Sequence, residues 1–437
     1  MSGGLRSARQ VGLAIGLVLA LSACWPVPGQ NPDRTGHNPY ETRITVDTVA
    51  SLTESWTAHV DGQVRSPVLS VGHVHVTDRA AAYSFDVSSG RRLWRTPLTP
   101  DIEPCLCSGE QAFVEGDSVL ASTEFGALGG GGVVRWLDVD TGAVERETSS
   151  GPLLATRTPR AISQYTFRGS DVTPEMWLEV VDLETGSTGT LGFVGRAFGI
   201  EPPPLTMGGQ RLYTTGSGVL PPFETLHTPS GDITTYGNRG NGIRALSYDH
   251  PRACIRDGQT FVDPNYLENC GLWATPLDGT SATAPVVGPG EETVYAGTDA
   301  GTVYAVEPSG GAVLWSAAVG SAVTGPPALA DGLLYVPTAD DGVVVLAAEG
   351  CGAATCDPLW SAPTSAAVQG QPVVAGGVVF VALAGGGLRA FDAAGCEAPT
   401  CPALWSAETG AEITGAPAVS GGRLYVGTED GRLISYA

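Results

Sequence analysis

The stretch Arg423-Leu424-Tyr425-Val426-Gly427-Thr428-Glu429-Asp430-Gly431-Arg432-Leu433 reads as a β-hairpin: an apolar run, an Asp-Gly turn, and the start of a second run. Gly takes positive φ at little steric cost, which a tight hairpin needs. The unit recurs upstream three times. Thr293-Val294-Tyr295-Ala296 precedes Asp299-Ala300-Gly301, Leu333-Leu334-Tyr335-Val336 precedes Asp340-Asp341-Gly342, and Val378-Val379-Phe380-Val381 precedes Gly385-Gly386-Gly387. Ahead of each hairpin stands a Pro followed by small apolar residues, at Pro285, Pro327, Pro372 and Pro417, spaced 42, 45 and 45. A further strand begins at Leu-Trp, with Trp273, Trp315, Trp360 and Trp405 at the same spacing.

Four short strands in each unit of about 40–45 residues mark propeller blades. A single four-stranded sheet has two apolar faces and cannot bury either alone, whereas radial stacking buries both and leaves only short edges. The first half repeats the pattern less regularly. Ser66-Pro67-Val68-Leu69 leads to Leu93-Trp94, Val133 to Asp138 precedes Asp140-Thr141-Gly142, Trp177 to Asp182 precedes Glu184-Thr185-Gly186, and Arg211 to Gly216 leads on to Leu272-Trp273. The last repeat stops after three strands, at Tyr436, while Leu52 to Thr57 forms an orphan fourth strand at the front. Joining the two predicts an all-β, eight-bladed ring closed within one four-stranded antiparallel sheet, which also removes exposed edges. The recurring Trp56, Trp94, Trp273, Trp315, Trp360 and Trp405 are expected to pack between neighbouring blades, since a large flat ring at one fixed blade position suits that contact.

The chain has 437 residues and a formal charge of −22, with Gly 60 and Pro 32. All 23 basic residues are Arg, a bias that fits a GC-rich, bacterial coding sequence. So acidic a surface repels phosphate backbones and argues against nucleic-acid binding. Arg6 and Arg9 precede an apolar run from Val11 to Leu21 that ends in Leu21-Ser22-Ala23-Cys24. The run is short for a membrane span and fits a signal peptide over 1–23. Its end resembles the bacterial lipobox, which makes Cys24 the lipidated first mature residue and the membrane its partner. Cleavage removes two Arg and no acid, so the mature charge becomes −24. Residues 24–42, rich in Pro, Gly and Asn, read as a flexible tether to a propeller spanning 43–437.

Eight further cysteines, an even number in an exported chain, suggest disulfides. Cys254–Cys270, Cys351–Cys356 and Cys396–Cys401 each fall between a third strand and the Leu-Trp strand, while Cys105 and Cys107 pair by elimination in a strained, very tight loop. The cysteines form separate local pairs and not a zinc-ligand set. His73 and His75 share one strand face but have no evident third ligand, so they read as ordinary strand residues. Asp340-Asp341-Gly342 and Glu429-Asp430-Gly431 lie where hairpin turns need Asp and Gly anyway, which outweighs a calcium reading. An insertion at about 219–240, with Pro221-Pro222-Phe223, Tyr236 and Arg239, interrupts one blade and is a candidate partner contact.

The repeat, quoted best by Arg423 to Leu433, resembles the pyrroloquinoline-quinone (PQQ)-like β-propeller repeat of quinoprotein alcohol dehydrogenases and the outer-membrane assembly factor BamB. Arg34 to Glu41 is also similar to the lead-in of such propellers. The resemblance implies eight blades and either of two roles. One is an extracytoplasmic, lipid-anchored, monomeric scaffold that binds an envelope protein or ligand without catalysis or cofactor. The other is a PQQ- and calcium-dependent dehydrogenase oxidising an alcohol or sugar. The dehydrogenases carry adjacent cysteines, an Asp base and a Glu-Asn-Asp calcium site. This chain has Cys105-x-Cys107, and neither the base nor the calcium ligands can be assigned in it. The scaffold is therefore the expected role, with no catalytic, cofactor or metal residues.

Overall fold

The computed structural model describes residues 25–78, 80–98, 108–109, 111–124, 132–168, 174–196, 205–209, 211–216, 226–228, 231–233, 242–247, 271–281 and 283–437. Eight four-stranded antiparallel blades form a closed propeller. Blade 1 comprises Val68–Ser70, His73–Thr77, Ala81–Asp86 and Arg92–Pro97. Blades 2 to 7 follow over 113–149, 153–196, 205–276, 286–318, 328–362 and 368–408. Blade 8 takes Ala418–Ser420, Arg423–Gly427 and Arg432–Tyr436 from the C-terminus and its outermost strand, Glu54–His59, from the N-terminus.

The closure predicted from the orphan strand is therefore the observed one. Trp56 lies opposite Ser435 and Ala58 opposite Leu433. The amide of Thr53 donates to the carbonyl of Ala437 (3.2 Å), and the amide of Ala437 donates back to Thr53 (3.0 Å). The two chain ends share one sheet, so blade 8 presents no free strand edge between its third and fourth strands.

Strand chemistry follows position in the blade. In blades 5 to 8 the second strands are covered on both faces and are largely apolar; Val378–Leu383 is buried at every residue. Fourth strands face solvent on one side and alternate, as Val313–Ala318 does. Within each blade the strands alternate in direction, so the ring has two distinct ends. One, called the lower end here, carries the turns from first to second and from third to fourth strand. The other, the upper end, carries the second-to-third turns and the connections between blades. Among the described residues no helix is long and apolar enough to cross a membrane.

Candidate functional site

The innermost strand of every blade is an edge strand facing the axis, with backbone groups that need partners. Residues 25–44 supply them. Trp25 exchanges two backbone hydrogen bonds with Leu69 of blade 1 (3.1 and 2.8 Å), and the Pro26 carbonyl accepts from Val114 of blade 2 (2.7 Å). The segment then reaches blade 5, where the Val287 amide donates to Asp33 (3.0 Å), and blade 6, where that of Leu329 donates to Thr35 (2.7 Å). In blade 7, His37–Asn38 lies parallel to Val374–Ala375 as a short added strand. The Asn38 amide donates to Val419 of blade 8 (2.9 Å), and the Glu41 carboxylate accepts from Gly422 (2.8 Å).

Side chains cover the two blades between. Arg34 donates to the Leu154 carbonyl of blade 3 (3.0 Å). Arg157, also of blade 3, pairs with the Asp33 carboxylate and donates from Nε to Met207 of blade 4 (2.7 Å). The segment is thus an inner hoop that meets blades 1, 2, 5, 6, 7 and 8 directly and blades 3 and 4 through arginines. It lies toward the lower end, beside the first-to-second turns: the Gly422 amide in the blade 8 turn bonds to Glu41, and a Cβ on Gly376 in the blade 7 turn would collide with the Ile44 carbonyl. The stretch read as a tether, 24–42, is therefore part of the fold from Trp25 onward, and Trp25 is only 1% exposed. Extended backbone pairing with edge strands, not side-chain patterning, holds it there.

The hoop sets the electrostatics of the lower channel. Burial pushes the Asp33 carboxyl up, against the opposing pull of the Arg157 guanidinium. Burial also lowers the Arg34 guanidinium to about 10 and depresses the His37 imidazole. These groups act as anchors: Asp33 and Arg157 satisfy each other, and Gln371 donates to the carbonyls of Arg34 (2.5 Å) and Pro327 (2.8 Å).

A second system locks blade to blade. Trp56 donates from Nε1 to Val87 (3.1 Å), Trp94 to Val139 (3.0 Å), Trp273 to Pro308 (2.7 Å) and Trp405 to Leu52 (2.9 Å), each reaching the third-to-fourth connection of the next blade. Trp315 and Trp360 lie over Gly350 and Gly395 in the same turns, where a Cβ would crowd the indole. In blade 2 the corresponding register holds Arg146, opposite Trp136. Its guanidinium stacks 4.3 Å from that ring and donates to Leu183 (3.1 Å) and Glu184 (2.6 Å) of blade 3. The sequence reading missed Arg146, because in blade 2 the aromatic sits one strand inward. Its signal was the Val-Glu-Arg run, 144–146, at the place where other blades read Leu-Trp.

The other candidate residues fall as follows. Cys351–Cys356 and Cys396–Cys401 are disulfides. Each closes a loop that also bridges to the preceding blade: the Ser316 amide donates to Ala354 and its carbonyl accepts from Cys356 (2.9 Å each), and the Ser361 amide donates to Pro399 (2.9 Å) while its carbonyl accepts from Cys401 (2.8 Å). Cys24, Cys105, Cys107, Cys254 and Cys270 lie outside the described residues, as does most of the 219–240 insertion apart from a short pairing of Leu226–Thr228 with Gly231–Ile233. The insertion leaves blade 4 between Gly216 and Gly242, at the upper end. His73 contacts Val139 (3.2 Å) and Asp140 (3.7 Å), while His75 is fully buried, bonded to Ser70 (2.9 Å) and stacked on Trp94. Asp430 pairs with Arg432 (2.8 Å). Among the described residues no group of three or more His, Cys, Asp or Glu stands together as a metal cage.

The family model of outer membrane protein assembly factor BamB matches residues 45–174 and 270–351. In fold the chain is similar to quinohemoprotein alcohol dehydrogenase from Comamonas testosteroni, at TM-score 0.65 and 15% identity over 97% of this chain and 82% of that one. It is similar also to BamB from Moraxella catarrhalis, at TM-score 0.53 and 15% identity over 88% of this chain and 99% of that one. A computationally designed protein, Ika8, has the same fold at TM-score 0.58 and 14% identity, over 86% of this chain and 97% of that one. No curated protein matches the chain. At these identities the likeness speaks for the fold. The inner edges of the ring are lined by the chain's own hoop.

Proposed function

We propose that this chain, a PQQ-like β-propeller, is a non-enzymatic binding scaffold of the cell envelope, held at the membrane through Cys24. The observation that carries the reading is the hoop. Residues 25–44 occupy the inner edges of the ring, so backbone groups that would otherwise face a channel ligand are spent on the chain itself. The matched family model, described as an outer-membrane assembly factor, supports a role in protein contact. The candidate partner contact is the 219–240 insertion, which leaves blade 4 at the upper end, away from the hoop, since irregular insertions on one face of a repeat array commonly form the binding face.

Two measurements test this. The purified protein is incubated with PQQ and Ca²⁺ and assayed for dye-linked alcohol oxidation; the scaffold reading expects none, and turnover overturns it. Pull-down from envelope extract is then compared between the whole chain and one lacking 219–240. Loss of a captured protein on deletion is the expected result, and identical capture by both removes the insertion from the binding face.

A further inference from the structure

The outermost strand of a blade is an edge strand, and its far side offers amides and carbonyls to any extended chain. In blades 5 and 6 the chain covers the middle of that edge itself. The loop closed by Cys351–Cys356 lays Thr355 parallel to Ser316, and the loop closed by Cys396–Cys401 lays Thr400 parallel to Ser361. Ser316 and Ser361 each give both amide and carbonyl to the loop. Cys356 packs with Trp315 and Cys401 with Trp360, while Cys351 and Cys396 are exposed. Each disulfide therefore ties an exposed end of its loop to a buried one.

These two edges differ in sequence from those that lie beside short turns. The third-to-fourth turns of blades 1, 2 and 3 are tight, closed by amides that donate from Asp86 to Arg91, Asp138 to Ala143 and Asp182 to Ser187 (2.9 Å each). The outer strands beside them, Glu54–His59, Arg92–Pro97 and Val144–Ser149, carry Glu54, then Arg92 and Arg95, then Glu145, Arg146 and Glu147. Charge on an edge strand discourages pairing. Val313–Ala318 and Trp360–Ala362 carry none. Val313, Leu314 and, just ahead of Trp360, Leu359 are exposed and apolar. Blade 4 departs from the pattern, since Gly271–Pro276 is uncharged beside the tight turn of blade 5, but its Pro276 has no amide to donate. In blades 5 and 6 the disulfide loops stand where charge is missing.

We propose that the two disulfide loops are latched guards on the outer edges of blades 5 and 6, and that a dithiol which opens the latches frees these edges to pair with a second copy of the chain. The occupant follows from the edge. It has no charge to select a partner of opposite sign, it is apolar, and a second copy presents a matching uncharged strand. The loop itself shows the mode, an extended backbone laid along Ser316 or Ser361. Opening is a thiol–disulfide exchange. A thiolate of the dithiol attacks the exposed Sγ of Cys351 or Cys396, the S–S bond breaks, and Cys356 or Cys401 leaves as a thiolate and takes a proton. The second thiol then displaces the first, so the dithiol ends as a disulfide and the chain gains two thiols. The opened loop keeps only its two backbone bonds to hold it on the edge.

The test uses the purified full chain in mild detergent. Sedimentation velocity compares the parent, the parent with dithiothreitol, and C351S/C356S and C396S/C401S, which lack one latch each. The parent is expected to stay monomeric and the other three to form dimers as concentration rises. L314K added to C351S/C356S puts a charge on the opened edge of blade 5 and is expected to restore the monomer. Hydrogen exchange, at concentrations too low for dimers, reads the latch itself. The Ser316 amide should exchange at least about tenfold faster in C351S/C356S than in the parent, with Ser361 unchanged. Monomers throughout overturn the inference, as does unchanged exchange at Ser316, which would mean that the loop holds without its disulfide. Association that L314K does not reverse also overturns it, since the contact then lies elsewhere. If a serine variant does not fold, the parent treated with dithiothreitol, with and without L314K, carries the same readings.

Discussion

The indole Nε1 of Trp405 donates to the backbone carbonyl of Leu52 at 2.9 Å, across 353 residues of chain. In other blades this bond reaches a continuous hairpin turn. Here the turn is open, since Leu52 leads into the outer strand of blade 8 and Ala437 follows its third strand. Trp405 thus ties blade 7 to the seam of the ring. W405F removes the buried bond and keeps most of the packing, and we expect it to cost about 1–3 kcal/mol because the Leu52 carbonyl loses its partner. W405A adds a cavity and is expected to cost about 3–5 kcal/mol. Urea unfolding of the two variants checks both; equal losses would mean that the hydrogen bond alone holds the seam, and no loss in W405F that packing alone does.

Blade 2 offers a sharper case. Arg146 stands in the tryptophan register and Trp136 opposite, where blade 1 has Ser84 opposite Trp94 and blade 5 has Ala305 opposite Trp315. R146A leaves two carbonyls of blade 3 without donors and removes the stacked cation, for an expected loss of about 1–3 kcal/mol. R146W alone crowds Trp136 and is also expected to destabilise. R146W/W136A restores the arrangement of the other blades and should recover most of the loss, giving a favourable coupling of about 1 kcal/mol or more in a double-mutant cycle. Strict additivity would show that the two positions do not exchange roles.

The ring was legible in the sequence because its determinants repeat. Tyr425-Val426-Gly427-Thr428 and its counterparts state the strand, the turn and the spacing together, and the orphan strand at Trp56 could be counted against the short last repeat. The hoop was not legible. Its contacts use backbone amides and carbonyls, so they impose no periodicity, and a Pro-, Gly- and Asn-rich stretch is composed alike whether it hangs free or lies along an edge. The likeness of Arg34 to Glu41 to a propeller lead-in was the one hint, and the structure adds that Trp25, Val27 and Ile44 at the two ends are buried. Arg146 escaped because a cation and a displaced aromatic do the work of one indole, and a search for Leu-Trp passes over both.

His75 occupies the register that holds Tyr213, Tyr295, Tyr335 and Tyr425 in other blades. Burial pushes its imidazole down to about 3, with His73 adding to the effect. The unfolded chain takes up this proton near the ordinary value of 6.5, the folded chain only near 3. Stability from the neutral ring is therefore complete above about 6.5 and is lost at about 1.4 kcal/mol per pH unit on the way down to about 3. H75Y, and H75L after Leu120 in the same register of blade 2, remove this dependence. Between pH 8 and pH 5 the parent protein is expected to lose about 2 kcal/mol more than either variant. Parallel stability curves would mean that His75 titrates normally.

The hoop makes the most demanding prediction, because a tether and a structural element respond oppositely to the same changes. Deleting residues 25–44 leaves the inner amides of Leu69, Val114, Val287, Leu329 and Val374 without acceptors, at about 1–3 kcal/mol for each one left buried and unpaired. We expect this deletion to unfold or aggregate the ring, whereas removal of a tether would leave the melting temperature unchanged. Smaller changes keep the test quantitative if the deletion does not fold. N38A removes the donor to Val419 and the acceptor for the Tyr40 amide, and about 1–3 kcal/mol should follow. G36A places a Cβ 2.7 Å from the Pro372 carbonyl at a φ of +66°, so strain and collision act together and its cost should be no smaller. Hydrogen exchange gives the independent reading: the amides of Leu69, Leu329 and Val374 should be protected in the parent and exposed in N38A and G36A in order of their distance from the lesion, nearest first, since the hoop is laid on one blade after another and loosens from the point of damage.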